Sequence, residues 1–226
     1  MSKESLLKKE NYNFDDLVEV VEILRAPGGC PWDAEQTHQS IRKSLIEETY
    51  EVVEGIDKND DEIMTEELGD LLLQVVFHAS IAKGDGRFDL DCICDGICKK
   101  LIYRHPHVFS DVVADTSDVV LKNWEELKKK EKGQKNKAEV LNAVSSALPS
   151  LMRAQKLIKK SEIDNDRSGI ISAVRACADR LEAGDDSALT DAVFECARLA
   201  NTAGIDLEQE LYNKNDSFLK EISSKI

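Results

Sequence analysis

Apolar residues recur every three or four positions through almost every long segment of this 226-residue chain, and only 4 prolines and 11 glycines interrupt the pattern. That period marks an amphipathic helix, because side chains three and four apart share one helical face. Runs of Val, Ile, Thr and Tyr between turn residues, the mark of strands, are scarce. The sequence therefore predicts an all-α fold, in which helices bury their apolar stripes against one another.

In the first part of the chain the periodicity predicts helices at roughly 14–25, 38–57, 61–83, 90–104 and 117–132. Asn13 stands where an N-cap is needed, and Asp16 falls in the first turn, where the helix dipole favours an acid. APGGCPWD enforces a loop before the second helix, whose Ile41, Leu45, Val52 and Ile56 form one stripe. The third helix differs. Leu68, Leu71, Leu72, Leu73, Val75, Val76 and Phe77 surround its axis, which suits a bundle centre or a subunit interface. Leu90, Ile93, Ile97 and Leu101 give the fourth a clean stripe.

The charged, glycine-containing KKKEKGQKNK at 128–137 is the best linker candidate, so the expected domains are 1–137 and 138–226. Four further helical patterns lie near 149–161, 168–183, 186–202 and 207–223. The halves read as tandem copies. GRFDLDCICDGICKKLI (86–102) aligns with AGIDLEQELYNKNDSFL (203–219) on a shared Asp-Leu, and EELGDLLLQVVFHAS (66–80) with SALTDAVFECARLAN (187–201). In this register Asp70 corresponds to Asp191, and Glu67 falls on Ala188. Ala176, Cys177 and Arg180 stand opposite Glu47, Glu48 and Glu51, so the second copy keeps the helices and is degenerate in its acids.

Charge narrows the function. Thirty Lys+Arg against 44 Asp+Glu leave a net −14, which repels nucleic-acid backbones over most of the surface. No apolar run approaches the roughly 18 residues of a membrane helix, and the N-terminal MSKESLLKKENYNF lacks the apolar core of a secretory leader. A cytoplasmic protein without nucleic-acid or membrane partners is expected. None of the six cysteines forms a CxxC pair, and Cys94 and Cys98, four apart in a helical pattern, read as small buried hydrophobes.

The acids carry the functional signal. Glu47-Glu48-x-x-Glu51 is followed, fifteen residues later, by Glu67-x-x-Asp70. Glu48 and Glu51 run along the edge of an apolar stripe, while Glu67 and Asp70 are embedded among leucines and valines. Carboxylates on an apolar face are costly unless protonated, paired or bound to a cation. Two i, i+3 pairs on successive helices can converge, and an all-oxygen donor set suits a hard cation, Mg²⁺ before Mn²⁺. The plainer reading of Glu47 and Glu54 is a solvated face. A di-iron bundle would need two ExxH pairs, and the E-x-x-H here is Glu35–His38, near a helix start.

Lys100 and Arg104, four apart on one helix, could hold polyphosphate oxygens, or simply complement a helix C-terminus. His78 shares a face with Asp70 and Gln74 and reads equally as an interior or a site histidine. Trp32 either stacks on a base or plugs the bundle top. No GxxxxGK[ST] is present, so a P-loop is excluded.

GGCPWDAEQTHQSIRKSLIEETYEVVEGI, EELGDLLLQVVFHASIA and KKLIYRHPHVF, in that order, resemble the MazG family of nucleoside triphosphate pyrophosphohydrolases. The resemblance is strong over roughly 12–135 and weak beyond. It implies an all-α fold of paired helices acting as a dimer, with Glu48, Glu51, Glu67 and Asp70 as magnesium ligands and Lys100 and Arg104 on the triphosphate. The implied reaction yields a nucleoside monophosphate and pyrophosphate. Glu47, beside the ligands, is the candidate for orienting or deprotonating the attacking water. The competing expectation is a non-catalytic helical regulator that senses nucleotides or docks on a protein. It fits the second half better than the first.

Overall fold

The computed structural model describes residues 3–134, 136–163 and 166–225. Among the described residues there are thirteen helices and no strand. They are α1 (Lys3–Leu6), α2 (Phe14–Arg25), α3 (Pro31–Glu35), α4 (Arg42–Lys58), α5 (Asp61–Gly84), α6 (Leu90–Arg104), α7 (Pro106–Phe109), α8 (Ser117–Glu131), α9 (Lys137–Asn142), α10 (Ser150–Ser161), α11 (Arg167–Glu182), α12 (Ala188–Ala203) and α13 (Leu207–Ser223). None of them is long and apolar enough to cross a membrane.

The chain forms two compact units, residues 1–113 and 114–226. The division expected at 137 therefore lies inside the second unit. The charged stretch begins within α8, which continues to Glu131, and the Lys160–Glu125 ion pair at 3.6 Å ties that helix to α10. Of the 128–137 linker candidate, Lys135 lies outside the described residues.

In the first unit α4 and α5 form a hairpin, against which α2 and α6 pack. The turn is chemical. Asn59 ends α4 in the left-handed conformation (φ 51°, ψ 45°), and the Asp60 carboxylate accepts from the backbone of Glu62 and Ile63 to start α5. Gly55 lets the two helices approach closely, because a Cβ there would lie 2.9 Å from the Met64 nitrogen. The core is Val21, Ile41, Val76, Phe77 and Ile81. Asn13 caps α2 as expected, in a reciprocal box with Asp16, whose carboxylate is buried against Lys9.

Two packing expectations change. Cys94 and Cys98 are exposed, as is Cys92, because the middle of α6, residues 94–99, is open while Leu90 and Ile93 at one end and Lys100 and Arg104 at the other turn inward. The stripe on α4 is split likewise, with Ile41 and Val52 buried and Ile56 exposed near the hairpin turn. By contrast, the all-round apolar character of α5 appears as two faces. Val76 and Phe77 are buried, while Leu68 (47 %) and Leu72 (40 %) remain open.

The second unit repeats the pattern. α11 and α12 form its hairpin, and α10 packs on α12 and α13. Gln155 stitches these helices, donating to the Ile205 carbonyl at 2.8 Å and accepting from the Leu207 nitrogen at 2.9 Å. The Asp-Leu pairs that anchor the sequence repeat occupy one structural position. Asp89 caps α6 by accepting from Cys92, and Asp206 caps α13 by accepting from Gln209.

Candidate metal centre

Because α4 and α5 run back along each other from the Asn59–Asp60 turn, residues at matched distances from it face one another. Glu48 on α4 thereby meets Glu67 and Asp70 on α5. One carboxylate oxygen from each lies within 4.8 Å of the others. Glu48 and Glu67 are half-buried and Asp70 is exposed. Glu51 stands beside them, hydrogen-bonded to Glu48.

Crowding has an electrostatic signature. Burial first, then the charges of Asp70 and Glu51, pushes Glu48 above the usual carboxylate range. Glu67 is pushed up in the same way, by burial and then by Glu51, Glu66 and Asp70. Neither has a cationic partner among these causes. The group holds negative charge at a cost that a cation would remove.

The donor set fits magnesium. Every ligand atom is a carboxylate oxygen, which selects hard cations over zinc or copper. In an octahedron with Mg–O of about 2.1 Å, opposing oxygens stand about 4.2 Å apart. The three oxygens, within 4.8 Å of one another, stand near that span.

The remaining candidates are more dispersed. Glu47 points to the exposed side of α4 and pairs with Lys43 at 2.7 Å. Lys100 is half-buried on α6, and Arg104, in the last turn of that helix, is buried. Trp32 on α3 is 67 % exposed, so it does not plug the bundle. Two cavities of the first unit, about 290 and about 530 Å³, include none of the clustered acids among their lining residues. The acids occupy an open hairpin face.

His38 was legible only as half of an ExxH pair, yet its partner is His78, with their Nδ1 atoms 2.7 Å apart. The face that His78 shares with Asp70 and Gln74 fits an interior histidine and a site histidine equally. Nothing local hinted at a contact across forty residues.

A helical hairpin that gathers carboxylates without histidine or thiol offers the donor set of an all-α protein that could hold a hard divalent cation. The family of the MazG nucleotide pyrophosphohydrolase domain matches residues 36–109, which contain all five clustered or adjacent acids together with Lys100 and Arg104. The nucleoside triphosphate pyrophosphohydrolase/pyrophosphatase MazG of Thermotoga maritima is 37 % identical over 222 residues, 95 % of this chain and 86 % of that protein. The nucleoside triphosphate pyrophosphohydrolase of Escherichia coli K12 is 38 % identical over 224 residues, 90 % of this chain and 83 % of that one. The protein YabN of Bacillus subtilis is 45 % identical over 159 residues, and this chain spans about a third (32 %) of its length. The chain belongs to the MazG family.

Proposed function

We propose that the first unit hydrolyses nucleoside triphosphates to the monophosphate and pyrophosphate, at a Mg²⁺ site held by Glu48, Glu51, Glu67 and Asp70. The observation that carries this reading is the convergence of three carboxylate oxygens within 4.8 Å across the α4–α5 hairpin. The names of the relatives from Thermotoga maritima and Escherichia coli support the same reaction.

Bound Mg²⁺, or Mn²⁺ in its place, would neutralise phosphate oxygens and polarise the α-phosphorus. The chain supplies the rest. Lys100 and Arg104 hold the triphosphate and take up the charge that develops on departing pyrophosphate. Glu47 receives the proton of the water that attacks the α-phosphorus as the bond to the bridging oxygen breaks. To do so it exchanges its Lys43 partner for that water. Trp32, exposed on α3, offers a face for base stacking.

The same reading includes a homodimer in the cytoplasm. Leu68, Leu72 and Val75 on α5, with Ile97 and Leu101 on α6, leave apolar surface open beside the acids. A second copy would cover that surface and wall the open site. Light scattering at micromolar concentration should give twice the chain mass, and a monomer mass would remove this element.

The decisive experiment is a nucleotide panel assayed for pyrophosphate and orthophosphate, with Mg²⁺ and with chelator. Mg²⁺-dependent pyrophosphate release, lost in Asp70→Ala, is the expected result. Undiminished turnover in that variant, or orthophosphate as the product, would overturn the site. A chain that binds nucleotide without turnover would instead be the helical regulator.

A further inference from the structure

His38 and His78 meet edge to edge. Their ring planes are within 9° of parallel and their centroids 5.0 Å apart, as one in-plane N–H···N bond between the two Nδ1 atoms requires. The far nitrogen of His38, Nε2, lies 2.6 Å from Arg87 Nη2. Arg87 is itself held by Asp85 at 2.8 Å.

These contacts fix the protons. A guanidinium only donates, so His38 Nε2 accepts and carries no hydrogen. Neutral His38 then has its proton on Nδ1 and donates it to His78 Nδ1. His78 Nδ1 accepts, which leaves the His78 proton on Nε2. That atom is buried without a hydrogen-bond partner among the described residues, and so is the Oε1 of Gln74, one turn earlier on α5. One is a donor and the other an acceptor. Burial and the neighbouring His38 hold the His78 imidazole below its ordinary pKa, in keeping with a neutral His78.

Glu67, Asp70, Gln74 and His78 fall within a sector of about 80° at 100° per residue, so the chain of donors points along α5 towards the acids. Buried polar atoms of opposite kind on adjacent turns call for one shared partner.

We propose that Arg87, His38, His78 and Gln74 form one hydrogen-bond relay of fixed direction, completed by an interior water between His78 Nε2 and Gln74 Oε1, which makes Gln74 a positioning residue for the acid cluster. With its oxygen engaged, the Gln74 amide presents its NH₂ group to the carboxylates one turn away, fixing the orientation in which they meet a cation. This inference rests on the reading of Glu48, Glu67 and Asp70 as a cation site.

The test uses the full chain and Mg²⁺ alone as the probe. Imidazole ¹⁵N spectra should show His38 as the Nδ1–H tautomer, the less common form of a free neutral imidazole, and His78 as the Nε2–H tautomer. The opposite assignment for either ring would overturn the relay. Calorimetry should show Mg²⁺ affinity weakened about 10- to 100-fold in Gln74→Leu and in His78→Phe. The double variant should be no weaker than the weaker single one, because both remove one chain. His78→Gln, which keeps a donor near the position of Nε2, should recover part of the loss if circular dichroism shows each variant folded. If Asp70→Ala abolishes Mg²⁺ binding while Gln74→Leu leaves it intact, the relay falls and the metal site stands. If Mg²⁺ binding is absent or indifferent to Asp70→Ala while the tautomers are as stated, the metal reading falls, and Gln74's positioning role falls with it.

Discussion

Arg180 on α11 donates from Nη1 to Asp191 on α12 at 2.8 Å, and its Nε reaches Asp185 at 2.9 Å. In the repeat register Arg180 stands where Glu51 stands in the first unit, and Asp191 where Asp70 stands. The two hairpins thus treat the same position in opposite ways. In the first, acid faces acid. In the second, a guanidinium on the facing helix neutralises the acid, and the hydrogen bonds to Asp191 and Asp185 hold the Arg180 guanidinium above its ordinary pKa.

From that contrast follows a stoichiometry. Calorimetric titration with Mg²⁺ should find binding sites in the first unit alone, removed together by Asp70→Ala. Arg180→Ala should leave the titration and the turnover unchanged. Its effect should be a lower melting temperature, and a modest one, because the pair is exposed and screened by salt. A new Mg²⁺ site in Arg180→Ala would mean that the second copy is masked rather than lost.

The crowded acids make a prediction about pH. A carboxyl whose folded pKa lies above its unfolded value binds its proton more readily in the folded state. Stability of the metal-free protein is therefore reduced above the folded pKa and recovers as pH falls through it. Glu48 and Glu67 are both shifted this way. In chelator, Glu48→Gln should melt at a higher temperature than the parent at neutral pH, and the gap should narrow on acidification. Added Mg²⁺ should raise the parent's melting temperature by mass action and the variant's much less. A parent that melts above the variant in chelator at neutral pH would contradict the assigned crowding.

Much of this site was legible because it obeys local rules. Asn13 and Asp16 announce a helix start by residue type, and they form the box that the spacing allows. Helical angles alone put Glu48 near the apolar edge of α4, and a two-residue turn then forces it to face α5. What escaped was non-local or marginal. Cys94 and Cys98 follow a buried period, yet they are exposed because the middle of α6, residues 94–99, stays open. The helices at Pro31–Glu35 and Pro106–Phe109 each span barely one turn, too short to show a period. The boundary near 113 carries no glycine or charge run, whereas the charge run at 128–137 continues a helix. The His38–His78 bond depends on how a loop folds back over α5.

Helix spacing is the next quantity to perturb. At Gly55 a Cβ would lie 2.9 Å from the Met64 nitrogen and 3.0 Å from its Cα, both backbone atoms that move only with α5. Alanine normally gains about 0.5–1 kcal/mol over glycine inside a helix. Overpacking against backbone costs about 1–3 kcal/mol, so Gly55→Ala should be destabilising in denaturant unfolding. At Gly96 on α6 a Cβ meets nothing within 4 Å, and Gly96→Ala should be stabilising. Gly55→Ala should also weaken Mg²⁺ binding, because the same spacing sets the distance from Glu48 to Glu67 and Asp70.

Lys100 gives the sharpest separation of phosphate binding from metal binding. It sits half-buried on α6, one turn before the buried Arg104, on a helix that packs against the acid-bearing α5. An ammonium that stabilises departing pyrophosphate acts more strongly on the transition state than on the bound substrate. Removing one such donor typically costs about 10²–10³ in rate. Lys100→Ala should therefore lower kcat/KM by about that factor, mainly through kcat, while Mg²⁺ affinity measured by calorimetry stays at the parent value. Lys100→Arg keeps the charge and should retain part of the activity. A change confined to KM would make Lys100 a ground-state phosphate contact, and loss of Mg²⁺ affinity would assign it a structural role instead.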